Sequence, residues 1–169
     1  MTSFDEPLIV RMGALDWRFP AWRGAFYPAD MPEEWQLTFF NTQYNCTFLE
    51  QAVWQQASTA ELTQWHADTH ERFRFLLEAD ATQTLPPELA DKALLISRSD
   101  ARIVWFNCDT SLKELAAKLS PDLASPDRGL PDTVSPETAG SVQYLVSLDG
   151  NLEQLERVAT LLEVMGLAT

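Results

Sequence analysis

MGALDWRFPAWRGAFYPADMPEEWQLTFFNTQYNCTFL, residues 12–49, is the stretch on which the fold reading turns. An apolar run, LIVRMG at 8–13, reads as a strand and feeds a long loop carrying Trp17, Pro20, Trp22, Arg23, Phe26-Tyr27-Pro28 and Pro32. Packing alone does not ask for so many rings in one loop. Loops that follow strands carry function more often than the regular elements around them, so this one is expected to shape a pocket or a contact surface. Asp30, with Pro32 and Glu33-Glu34 behind it, predicts a helix start, and the helix carries Trp35 to Phe40. A short strand is expected over 42–48.

Outward from that stretch the chain alternates. Ser58-Thr59-Ala60-Glu61 is a capping box that opens a helix reaching about His70, with Leu62, Trp65, Thr69 and Phe73 on one side. Residues 72–78 (RFRFLLE) then read as a strand, 85–96 as a short helix after Pro86-Pro87, and 101–107 (ARIVWFN) as a strand. A second capping box, Ser111 to Glu114, opens a helix to about Leu119. Pro121, Pro126, Pro131 and Pro136 make 120–140 a loop. A last strand over 142–148 leads to a helix capped by Asn151, with Leu152, Leu155, Val158, Ala159, Leu162 and Met165 on one stripe ending at Gly166. This rhythm argues for parallel βαβ units in a single domain over residues 1–169.

Composition excludes several function classes. The chain has 169 residues, and its charge is −13, spread over both halves: five basic against twelve acidic residues in 1–80, and seven against thirteen in 81–169. Such a surface repels a phosphate backbone, so no nucleic-acid partner is expected. No apolar run approaches the roughly 20 residues that span a bilayer, and MTSFDEPLIV has no basic region before an apolar stretch. No membrane partner and a cytoplasmic location are therefore expected. Cys46 and Cys108 are far apart with no C-x-x-C spacing, and the two histidines, His66 and His70, sit four apart on one helix without the glutamate of an H-E-x-x-H motif. No metal and no cofactor are predicted. There is no G-x-S-x-G, no phosphate-binding loop and no dinucleotide fingerprint.

Ligands in parallel α/β folds sit at the carboxyl ends of strands. The candidate pocket set is accordingly Asp16, Trp17, Trp22, Arg23, Tyr27, Asn45, Asn107 and Asp109, with Glu50, Glu78, Asp80 and Asp149 at neighbouring strand ends. Two carboxylates there with separated pKa values can act as acid and base. The same residues also serve as ordinary turn and cap formers, and the ring set as loop packing. Arg11, Arg18 and Arg23 can hold one anion near the first loop or pair with Asp16 or Glu50.

One resemblance sharpens this. Gly13, Trp17, Pro20, Trp22, Gly24, Phe26-Tyr27-Pro28, Pro32, Trp35, Phe40-Asn41-Thr42 and Asn45-Cys46-Thr47-Phe48 fall in the order and near-spacing of the YecE-like family, domain of unknown function 72. The resemblance is carried by residues 8–80, and by 142–146 with the closing helix. It implies a TIM-type barrel, but a complete one takes about 250 residues. The expected fold is thus a shortened or incomplete TIM-type (β/α) barrel with mainly parallel strands, in which central units are lost. Relatives carry an acid between the threonine and asparagine of the second-strand motif, where this chain has Thr42-Gln43-Tyr44-Asn45, and a lysine where it has Glu78. Those departures imply a degenerate barrel-mouth pocket that binds a ligand or partner. The alternative is a hydrolase or lyase acting on a small polar or phosphorylated substrate. An unclosed sheet predicts a homodimer or a heterologous protein partner.

Overall fold

The computed structural model describes residues 10–80, 82–119 and 142–167. Six strands, β1 (Arg11–Leu15), β2 (Cys46–Leu49), β3 (Arg74–Glu78), β4 (Ala93–Ile96), β5 (Ile103–Phe106) and β6 (Tyr144–Ser147), form one sheet in the order β4-β3-β2-β1-β6-β5. Every pairing is parallel. The first and last strands are neighbours, as they are where a barrel closes, and the sheet is open between β4 and β5. Only residues 97–102 join β4 to β5. A crossover between paired parallel strands takes about a dozen residues or more.

The sheet is curled. Phe48 on β2 and Trp105 on β5 are three strand positions apart, which in a flat sheet would separate them by roughly 14 Å. Their ring centroids lie 4.8 Å apart. Period-2 alternation sorts the strand residues into two layers. Cys46, Phe48, Leu76, Ile96, Ile103, Tyr144 and Val146 fill the concave face. Met12, Ala14, Leu49, Phe75, Leu77, Val104, Phe106 and Leu145 face outward, beneath the helices. The result is an all-parallel half-barrel, the shortened TIM-type architecture expected from the sequence.

Helices α1 (Gln36–Gln43), α2 (Gln51–Gln56), α3 (Thr59–Ala67), α4 (Leu112–Leu119) and α5 (Leu152–Val164) cover the outer layer. The capping box of α3 is present: Ser58 Oγ accepts from Glu61 N at 3.1 Å, and Glu61 Oε1 accepts from Ser58 N at 2.9 Å. Asn151 Oδ1 accepts from Gln154 N at 2.8 Å to start α5, which buries Leu155, Val158 and Leu162 and stops at Gly166, φ 75°.

Three local expectations are corrected. The strand expected over 42–48 begins only at Cys46, because α1 continues through Gln43. The helix expected over 85–96 is instead a 3-10 turn, Pro87–Leu89, followed by β4. Leu94 and Ile96 alternate onto the concave face, so tertiary burial overrides the helical propensity of the leucines. The helix expected to reach His70 ends at Ala67. A buried lysine takes up one of its last carbonyls and the turn beyond it: Lys92 Nζ donates to His66 O at 2.8 Å and to Thr69 O at 2.5 Å. The proline-rich segment 120–140 lies outside the described residues.

Candidate functional site

At the carboxyl ends of the strands the half-barrel opens into a pocket of about 560 Å³. Gln51 follows β2, Glu78 to Asp80 close β3, and Ser97 to Ser99 follow β4. Trp105 lies on β5 and Leu148 follows β6. Arg98 is the centre of the site. Its Nη2 lies 2.8 Å from Glu50 Oε2 and its Nε 3.4 Å from Glu78 Oε2. The guanidinium also sits 5.5 Å from the Phe48 ring centroid and 5.3 Å from that of Trp105. Trp105 Nε1 in turn donates to Arg98 O at 2.9 Å, tying the segment after β4 to β5 across the open side. Glu78 Oε1 accepts from Gln51 N at 3.0 Å. One cation thus holds two carboxylates, while an aromatic face and Leu148, 38% exposed, complete the wall.

Glu78 and Asp80, expected at neighbouring strand ends, line this pocket, while the eight residues of the expected pocket set lie outside it. Asp16, at φ 69°, turns the chain after β1; its Oδ1 accepts from the amides of Trp17 and Arg18 at 2.6 and 3.0 Å and pairs with Arg18 Nε at 2.8 Å. Burial on its own would lower the Arg18 guanidinium, and the bond to Asp16 turns the net shift upward. Trp17 is buried edge-on against Trp65 of α3, 5.1 Å between centroids. Trp22 and Tyr27 are each 1% exposed. Tyr27 Oη donates to Trp17 O at 2.6 Å, and burial pushes its phenol far up from the usual range. Arg23 is exposed and donates to Ala29 O at 3.1 Å. The aromatic loop is therefore brought together, but as packing on the outer layer. Only Trp35, 59% exposed, leaves that cluster for the surface.

Asn45 lies at the opposite, amino end of the sheet, just before β2, where its Oδ1 accepts from Met12 N at 3.0 Å. Asn107 and Asp109 share the turn after β5: Asn107 Oδ1 accepts from Asp109 N at 2.8 Å. That turn is pinned to the one after β6, since Asp149 Oδ2 accepts from Cys108 N at 3.0 Å. The pocket residues missed in the sequence are Gln51, Ala79, Ser97, Arg98, Ser99, Trp105 and Leu148. Assigning β4 as a strand would have placed Arg98 at a strand end.

The histidines serve separate local bonds. His66 Nε2 lies 2.9 Å from Asp91 Oδ1, and His70 Nδ1 accepts from Arg72 N at 3.1 Å. Among the described residues no group of three or more His, Cys, Asp or Glu side chains is placed to hold a metal ion, and no helix is long and apolar enough to cross a membrane.

An all-parallel half-barrel with outer helices and a polar-aromatic pocket at its carboxyl strand ends defines the class, a shortened α/β barrel of TIM type. The chain belongs to the family described as protein of unknown function DUF72, whose model matches residues 11–164. That match takes in the first-half motifs, the closing strand–helix unit and the residues between them. No curated protein and no solved structure matches the chain.

Proposed function

We propose that this DUF72 protein acts by binding, with the barrel-mouth pocket as the ligand site and the open sheet edges as the place where a partner or a second copy is received. The observation that carries the proposal is the double ion pair of Arg98 with Glu50 and Glu78. A general acid–base pair needs carboxylates whose proton affinities are driven apart and which are free to meet substrate. Here both acids are engaged by one cation, and Glu78 stands where the relatives it resembles carry a lysine. What is left for a ligand is the guanidinium edge and the Trp105 ring, a set suited to a small polar molecule with a flat face.

Thermal-shift screening of small polar metabolites tests this, with the same compounds assayed for turnover. A compound that stabilises wild type, fails to stabilise Arg98→Ala and Trp105→Ala, and is recovered unchanged supports binding. A compound that is consumed, with consumption lost in Glu78→Gln, moves the assignment to the hydrolase or lyase alternative.

A further inference from the structure

We propose that the amino-terminal rim of β1 and β3, at the opposite end of the sheet from the mouth pocket, is an anion site taking inorganic phosphate or the phosphate group of a small phosphomonoester. The inference is independent of the ligand reading of the mouth. In a chain with 12 Lys and Arg against 25 Asp and Glu, three arginines gather here: Arg11 opening β1, Arg72 just before β3, and Arg74 opening β3. Arg11 Nε donates to Arg72 O at 2.9 Å, and Arg74 Nη1 donates to Glu71 O and Phe73 O at 2.9 Å each. Two guanidiniums are thus fixed by backbone carbonyls. Among the described residues none of the three arginines forms an ion pair with a carboxylate.

The like charges affect one another. Burial first, and then the charge of Arg74, lowers the Arg11 guanidinium from its ordinary value. His70, beside them, is lowered by burial and then by Arg72 and Lys92. Cations held together without an ion-pair partner form an arrangement that an anion relieves, through charge-assisted bonds to the free guanidinium edges. Next to Arg72 lies a hollow of about 110 Å³, lined by His70, Asn41, Thr42, Gln43 and Asn45 as well as Tyr44, a size and polarity suited to one tetrahedral oxyanion. Glu71 adjoins the cluster in sequence, and Glu163 lines the neighbouring hollow, which also holds Asn45 and Gln43. These acids and the overall charge of −13 disfavour an extended polyanion, so a compact anion is the ligand that fits.

Calorimetric titration of the full chain with inorganic phosphate, and separately with glycerol phosphate, at ionic strength matched by chloride, tests the site. The expected result is one anion per chain, weakened by added salt. Arg72→Gln, whose side chain makes no hydrogen bond among the described residues, should lose about tenfold in affinity. Arg74→Gln should lose a similar factor, and Arg98→Ala at the other end should bind as wild type does. Tighter binding of phosphate identifies the free ion as ligand, and tighter binding of the ester a phosphorylated metabolite. No binding beyond the chloride control overturns the proposal. So does unchanged binding in both Arg72→Gln and Arg74→Gln, each confirmed folded by circular dichroism, or a loss confined to Arg98→Ala.

Discussion

Trp22 Nε1 donates to Gly150 O at 2.7 Å, a buried bond between residues 128 apart in the chain. It links the loop after β1 to the turn after β6, so the seam where first and last strands meet is held by a side chain as well as by the strand ladder. Gly150 is at φ 67°, and its Cα faces the Phe19 ring, which would stand 2.9 Å from any Cβ. The aromatic loop is thereby a clamp between the first and last strands.

Trp22→Phe removes the donor and leaves the Gly150 carbonyl buried and unpaired, a cost of about 1–3 kcal/mol. Trp17→Ala, which empties a site 3% exposed, is expected to cost about 3 kcal/mol or more. Urea midpoints of the two variants against wild type check both values. An unchanged midpoint in Trp17→Ala would mean that the ring is free for a ligand.

Gly13 faces the concave side, paired with Cys46. A methyl group there would lie 1.6 Å from Cys46 O, which backbone cannot yield without unzipping β1 from β2. Gly13→Ala is therefore expected to give no cooperatively folded protein. A sigmoidal thermal transition near that of wild type refutes the close approach.

The two thiols should differ sharply. Cys46 is fully buried and burial pushes its pKa far up, while Cys108 is exposed and raised chiefly by its bond to Asp149. A raised pKa means less thiolate at neutral pH, and the thiolate is the reactive form. One thiol per chain should react with an aromatic disulfide under native conditions, more slowly than a free thiol and faster as pH rises. Asp149→Asn should accelerate it. Two equally fast thiols would contradict the burial of Cys46.

Stability should fall at alkaline pH. Cys46, Tyr27 and Tyr144 have folded pKa values raised by burial, and Tyr44 is pushed up to about 12. Groups raised on folding contribute stability that is present below their unfolded values and is lost as pH climbs past them, since the unfolded chain then releases protons that the native state retains. The window opens at about pH 8.5–10, where free Cys and Tyr titrate. Denaturant midpoints measured from pH 7 upward should decline across that range, and a flat profile would sink this account.

How far the sequence could be read follows from the range of each signal. Capping boxes and the apolar stripe of α5 are local, and Ser58, Glu61 and Asn151 act as expected. Parallel βα units follow from the alternation, and the shortened barrel from the family resemblance set against the chain's length. β4 was not legible, because ALLI bears no sign of which surface will bury it. The mouth was not legible either: Arg98 meets Glu50 and Glu78 only after three strands pair and the sheet curls. The aromatic loop showed itself as special, but ring content alone does not distinguish a clamp from a ligand wall.

Self-association is the remaining expectation. β4 and β5 terminate the sheet, and among the described residues no strand pairs with their outer edges. Unpaired N–H and C=O groups on such edges are covered, charged or paired in native proteins, and the Arg98–Trp105 bond bridges the opening at one end only. Trp35 and Val164, 59% and 79% exposed, add apolar surface on the helical side. The purified chain is expected to be a homodimer, or to require a heterologous partner for solubility. Light scattering at micromolar concentration decides. A stable, well-folded monomer of 19.1 kDa would defeat the expectation and show that the half-barrel shields its own edges.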